Sequence, residues 1–171
     1  MLAIPKINFL LGLLDFPNNI VIDLKEIIYR FIWKGKTRKL KETVLIQPFE
    51  KGGCNMIDIE STIKAEKVKW IKYYLGDTEG AWRNTMQTSV GVENLTSLLQ
   101  GNYEISLLHK CGIFYKKVLK YWSEVKICLT QEPIHTSNQL IFYNKHITAN
   151  GNMIFSSELF NAGIIHVKNL F

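Results

Sequence analysis

The sequence predicts a mainly α-helical protein with short β-hairpins, one of them near the C-terminus. Three observations support this fold class. Apolar residues recur at helical spacing in three long stretches between residues 20 and 127. After residue 139 the pattern changes to short apolar runs, and Asn150-Gly151 is a dipeptide that favours a type I′ hairpin turn. The chain has 171 residues, 47% of them hydrophobic, which is enough for a buried core without disulfides.

The first two elements are predicted to be helices. Ile7 to Leu14 is apolar on nearly every side, which predicts a short buried helix ending near Asp15. Asn18 or Asn19 then caps a second helix that ends near Trp33. The apolar residues of this second helix are spaced i, i+4, i+7, i+8 and i+11, and we expect them to lie in the core. They are Ile20, Leu24, Ile27, Ile28 and Phe31.

A basic segment follows this helix, and we define it as residues 30–41. Its cations are too dense to be buried. They are Arg30, Lys34, Lys36, Arg38, Lys39 and Lys41. Val44 to Ile46 then predicts a short strand that Pro48 ends. In the next loop, Gly52 and Gly53 permit a close backbone approach.

A lysine-rich helix is predicted from Ser61 to Leu75. Its cations, distributed around the helix, are Lys64, Lys67, Lys69 and Lys72. The helical period breaks from Gly76 to Gly80, which divides the chain into a basic helical region, residues 1–77, and a helical segment with a small α/β tail, residues 78–171.

The second region contains two predicted helices and a tail of short elements. Residues 82–108 are weakly patterned, with a short helix near Asn94 to Gln100, and a clearer helix covers residues 113–127. In the tail, residues 140–143, 147–148 and 164–167 are predicted strands. Ser156 or Ser157 caps one helical turn before Gly163.

The charge of the chain favours polyanionic partners. The net charge is +6, and residues 1–75 hold 13 cations against 8 anions, so nearly all of the excess lies in the first half. Phosphates are bound by clustered cations and free backbone N–H groups, and an exposed Trp33 can stack on a base. In the alternative interpretation, Trp33 packs under the helix end and the lysines are only hydrated.

Catalytic, metal and cofactor motifs are missing from the sequence. The four aspartates stand singly, and the nearest carboxylates, Asp58 and Glu60, are better explained as a solvated loop than as a metal site. His109 and Cys111 lack a third orienting group. We therefore expect no catalytic residue, no metal and no cofactor. Three widely spaced cysteines without a C-x-x-C pair, and the lack of a membrane span, favour an intracellular protein, cytoplasmic or nuclear.

Several motifs together resemble a known family. They are Ile4-Pro5-Lys6-Ile7, Phe31-Ile32-Trp33-Lys34-Gly35-Lys36, Pro48 with Lys51-Gly52-Gly53, and Lys67-Val68-Lys69-Trp70-Ile71. Their order and gaps resemble the stretch just downstream of the catalytic core in LINE-type non-LTR retrotransposon reverse transcriptases. Phe114-Tyr115, Trp122, Asn144-Lys145 and Gly163-Ile164 are similar to a later part of the same polyproteins. The resemblance covers nearly the whole chain.

The resemblance implies a thumb-like helical region that holds primer and template behind an active site. It also implies that the fingers and palm lie upstream of Met1, so that the chain is a fragment or a degraded copy. RNA or DNA backbone would then be the partner of the basic segment, together with a palm or fingers region. Gly52, Gly53 and the four helix lysines would extend the contact.

Three functional hypotheses follow. The leading one is a non-catalytic nucleic-acid-binding fragment of a retrotransposon reverse transcriptase. The second is a structural relic or protein-interaction fragment whose apolar surface once docked on a palm domain. The third is an enzyme in its own right, which the missing paired carboxylates disfavour.

Overall fold

The structure, a computed structural model, describes residues 3–37, 39–76, 80–129 and 138–171. Within these ranges it is mainly helical, with one two-stranded antiparallel hairpin near the C-terminus, which confirms the predicted fold class. The chain forms two compact units, Met1–Lys69 and Trp70–Phe171. The boundary predicted after residue 77 lies eight residues beyond this division.

The first unit is built from helices. They are α1 (Ala3–Leu13), α2 (Asn18–Ile32), α3 (Glu42–Ile46) and the beginning of α4 (Ile59–Gly76). The predicted cap on α2 is wrong, because Pro17 occupies the N-cap position and no side chain caps the helix. The Pro17 carbonyl instead accepts hydrogen bonds from the amides of Ile20 and Val21, at 3.0 and 3.3 Å.

The strand predicted at residues 44–46 is helical, since these residues form α3. Two β-branched residues favour a strand, but a strand needs a neighbour to pair with, and the described part of this unit contains none. The helix lets Leu45 turn into the core, where it is buried. Tertiary contact has therefore overridden local preference here.

The predicted core stripe of α2 is only partly buried. Phe31 is 84% exposed and Ile27 is 61% exposed, whereas Tyr29, on another face of the helix, is buried. The helical period shows which residues share a face, but the neighbouring elements decide which face is covered. Within the described ranges, the first unit has a small buried apolar core. It consists of Leu11, Tyr29, Leu45 and Ile59.

The second unit has the larger apolar core. It contains α5 (Ala81–Val90), α6 (Leu95–Gln100) and α7 (Ile113–Leu129). Helix α6 confirms the short helix predicted near Asn94, whose side chain accepts a hydrogen bond from the amide of Ser97 at 2.9 Å. Helix α5 was not predicted. The buried core includes residues from these helices and from the tail: Met86, Val90, Leu95, Leu98, Val118, Leu119 and Phe142 among others.

The tail confirms the predicted hairpin turn. Strands β1 (Thr148–Ala149) and β2 (Asn152–Met153) pair antiparallel, and both turn residues, Asn150 and Gly151, have positive φ, as a type I′ turn requires. Ser156 caps the short helix α8 (Ser157–Asn161) by accepting a hydrogen bond from the amide of Leu159.

The strands predicted at residues 140–143 and 164–167 are wrong. In the structure, these two runs contribute one isolated antiparallel bridge, between Leu140 and His166. Tyr143 has a φ of 47°, which ends the extended run, and Val167–Leu170 is a 3₁₀ turn. None of the helices in the described ranges combines the length and the apolar character needed to span a bilayer.

Lys126 on α7 is the most unusual charged group of the second unit. Its ammonium donates to the carbonyls of Leu99 and Gln100, both at 3.3 Å, and to that of Gly101, so it satisfies the C-terminal end of α6. Burial lowers the pKa of Lys126 from 10.5 to about 8. Folding therefore disfavours its protonated form.

This shift predicts a pH dependence of stability. Between about pH 8 and 10.5 the unfolded chain binds more protons at Lys126 than the folded one, so stability rises with pH in this window. From pH 7.5 to 9.5, we expect the free energy of unfolding of the wild type to rise by about 1–2 kcal/mol relative to Lys126→Met. Urea unfolding at both pH values measures this difference, and a constant or falling difference contradicts the shift.

Candidate nucleic-acid interface

The basic segment begins in a tight C-terminal turn of α2. The Gly35 amide donates to the Arg30 carbonyl at 2.9 Å and the Lys34 amide to the Phe31 carbonyl at 3.2 Å, which together make a Schellman motif. Lys34 adopts a φ of 49° and Gly35 one of 74°. The left-handed conformation at Lys34 costs about 1 kcal/mol in an L-residue, and it turns the chain sharply away from the helix axis.

The cations of this segment face solvent. Arg30, Lys34, Lys36, Lys39 and Lys41 are all exposed. None of these five forms an ion pair within the described ranges. The sixth predicted cation, Arg38, lies outside the described residues. Five exposed positive charges within one short segment are therefore available to an external anion.

Lys25 links α2 to α4 and to α3, the helix that follows the basic segment. Its ammonium lies 3.1 Å from Glu42, the first residue of α3, and 2.5 Å from Glu60 on α4. The hydrogen bond to Glu60 raises the pKa of Lys25 above its ordinary value, and Glu42 adds to this effect. Nothing in the helical period of the sequence distinguishes Lys25 from the exposed cations nearby.

Trp33 is half-buried at the end of α2. Its indole Nε1 is buried and finds no acceptor among the described residues. Beside it is a small cavity of about 140 Å³, lined in part by Arg30 and Lys36. This volume is below the roughly 300 Å³ of an ordinary ligand pocket, so the site is a surface rather than a cleft. Trp33 therefore packs at the end of the helix, with part of its surface still exposed.

The amides of Gly52 and Gly53 are used in internal hydrogen bonds, which gives no support to their predicted contact with a phosphate. The Gly52 amide donates to the carbonyl of Phe49 at 2.9 Å, and the Gly53 amide donates to that of Pro48 at 3.0 Å. A Cβ at Gly53 would lie 1.9 Å from the carbonyl oxygen of Gln47. The close backbone approach exists, but it closes an internal turn.

The lysines of α4 differ in their surroundings. Lys67 is 1% exposed, and its ammonium donates to the carbonyls of Gly12 and Leu14, at 3.3 and 2.8 Å. It satisfies the C-terminal end of α1, so the prediction that it contacts phosphate is wrong. Lys69 pairs with Glu66 at 2.5 Å. Lys64 and Lys72 are exposed, and Lys72 belongs to the second unit.

The carboxylates considered as metal ligands have structural partners. Asp58 caps α4 by accepting hydrogen bonds from the amides of Glu60 and Ser61, at 3.1 and 3.3 Å. Glu60 holds Lys25. In the described part of the chain, no group of three histidine, cysteine or carboxylate side chains is arranged to bind a metal ion.

Comparison of the chain with protein-family models, curated proteins and solved structures finds no match. The geometry and charge of the site are therefore the basis for a functional proposal.

Two lysines of α4 test the division between buried and exposed cations. We expect Lys67→Met to lower the free energy of unfolding by about 1–3 kcal/mol, because it leaves two helix-end carbonyls without a donor. The matched control, Lys69→Met, removes an exposed pair and changes stability by less than about 0.5 kcal/mol. Urea unfolding followed by circular dichroism measures both values. Equal changes in the free energy of unfolding for the two substitutions would contradict the structural role of Lys67.

Proposed function

We propose that the chain is a non-catalytic nucleic-acid-binding fragment of a LINE-type retrotransposon reverse transcriptase, and that its basic segment contacts the sugar-phosphate backbone of RNA or DNA. One observation carries this proposal. Five cations of the basic segment are exposed and form no ion pair in the described ranges: Arg30, Lys34, Lys36, Lys39 and Lys41. The reverse transcriptase family named in this proposal comes from the resemblance of the sequence motifs.

The electrostatics favour a backbone contact over base readout. The C-terminal end of α2 carries about half a negative charge, which partly offsets the cations of the last helical turn. Lys36, Lys39 and Lys41 lie beyond this end and are free of that offset. Lysine is a flexible point charge without the planar fork that reads base edges. We therefore expect little sequence preference and a strong dependence on salt.

The carboxylates near the basic segment explain why we propose a non-catalytic role. Phosphoryl transfer by two metal ions needs carboxylates that converge on a common point. Asp58 and Glu60 are engaged in capping α4 and in holding Lys25. The proposed chemistry is reversible neutralisation of phosphates, and a primer-extension assay with the isolated chain is expected to show no synthesis.

The proposal predicts a salt-dependent affinity for single-stranded oligonucleotides. If about four cations contact the backbone, log K falls with log salt with a slope near −3, or roughly fifty-fold between 50 and 200 mM. Replacing four lysines of the segment with Gln should reduce both the affinity and the slope towards zero. These are Lys34, Lys36, Lys39 and Lys41. Fluorescence anisotropy with labelled RNA and DNA measures both quantities.

The chain offers a control with the same loss of charge. Four exposed lysines of the second unit can be replaced by Gln, which lowers the net charge equally. These are Lys110, Lys120, Lys145 and Lys168. We expect this variant to keep most of the wild-type slope. If both variants lose affinity equally, the binding reflects overall charge, and the assignment to the basic segment fails.

The exposed apolar face of α2 favours a second candidate, a protein-interaction fragment. Phe31 and Ile27 expose most of their surface, which is unusual for a helix of an isolated monomer. This candidate predicts no salt-dependent affinity for nucleic acid. The titration described above therefore separates the two functions.

A further inference from the structure

We propose that two copies of this chain pair antiparallel through the exposed stripe of α2. The stripe consists of Ile20, Leu24, Ile27 and Phe31. At 100° per residue, these positions fall within about 60° of one another around the helix, so they form one continuous face. Their spacing is typical of a helix that packs against another helix.

Most of this face is open in the structure. Ile20 is 37% exposed, Ile27 61% and Phe31 84%, whereas Leu24 is half-buried. A different side of α2 contacts the rest of the unit, where Tyr29 is buried and Lys25 holds Glu42 and Glu60. A partner on the stripe would leave these internal contacts intact.

The spacing of the stripe suits a two-fold antiparallel pair. In the register that centres between residues 25 and 26, Ile20 lies opposite Phe31 of the second copy, and Leu24 lies opposite Ile27. Each end then joins a less exposed residue with the most exposed one. A symmetric contact of this kind requires a self-complementary patch. The stripe meets this requirement, because the register pairs Ile20 with Phe31 and Leu24 with Ile27 on both sides of the two-fold axis.

The charges beside the stripe favour the antiparallel arrangement. Asp23 and Arg30 are seven residues apart on the same edge of α2, and both are exposed. Neither forms an ion pair with any residue that the structure describes. In an antiparallel pair the same edges meet, so Asp23 of each copy lies near Arg30 of the other. In a parallel pair this edge would face the opposite edge of the second helix, so Asp23 and Arg30 of the two copies would not meet.

The size of the stripe predicts a weak, reversible dimer. A buried aromatic side chain contributes about 150–250 Å², so the stripe offers on the order of 400 Å² per copy, half of the roughly 800 Å² of a stable complex. We therefore expect the dimer to form with rising protein concentration and to dissociate on dilution. This inference does not depend on nucleic-acid binding, and its test contains no nucleic acid.

A charge-reversal series tests the pairing by sedimentation equilibrium of the full chain. The wild type should show a concentration-dependent increase in mean mass. Asp23→Arg and Arg30→Asp should each weaken association about ten-fold, because each turns two attractions of the symmetric pair into repulsions. The double variant should recover most of the wild-type association. Circular dichroism checks that each variant is folded.

The apolar contact has its own variant. Phe31→Ser should abolish association without loss of helical content, since Phe31 is largely exposed in the single chain. A monomeric wild type at all concentrations would overturn the proposal. Association that the single reversals leave unchanged, or that the double reversal does not restore, would also overturn it, because the copies would then meet through another surface or another partner would cover the stripe.

Discussion

The ammonium of Lys25 joins three helices of the first unit, and the geometry of the basic segment depends on this junction. Its side chain is 19% exposed and contacts carboxylates of α3 and α4 while lying on α2. The basic segment leaves α2 through the Schellman turn and returns to α3 immediately before Glu42. This unit buries few apolar residues. The partly buried ion pairs of Lys25 therefore help to fix the relative positions of α2, α3 and α4, a role that hydrophobic packing has in the second unit.

The structure separates the lysines into buried and exposed ones, which the sequence pattern does not distinguish. Lys25 pairs with carboxylates and Lys67 donates to helix-end carbonyls. Lys34 and Lys36 are exposed to solvent. A long flexible stem allows either outcome, and the available acceptors decide it. The same reasoning applies to Gly53, whose close contact is with Gln47 of its own chain. The proposed interface is consequently smaller than the sequence alone indicated, and it is confined to one segment.

Local signals predicted the elements that local chemistry determines. Helix α2, the short helix α6 and the Asn150-Gly151 turn each depend on interactions within a few residues, and each was correctly predicted. Helix α5 was missed, although Trp82, Met86 and Val90 are spaced by four and carry a weak helical signal. The strand at residues 44–46, the burial of Lys67 and the exposure of the α2 stripe depend on distant neighbours, which a single sequence does not specify.

The central claim is that the basic segment, residues 30–41, contacts a sugar-phosphate backbone. The most direct measurement is an amide NMR titration of the intact chain with a short single-stranded RNA at low salt. Our account predicts that the largest chemical-shift changes fall within the basic segment, that the internally bonded amides of Gly52 and Gly53 change little, and that added salt reverses the changes. Shift changes concentrated in the second unit, or none at saturating RNA, would contradict it.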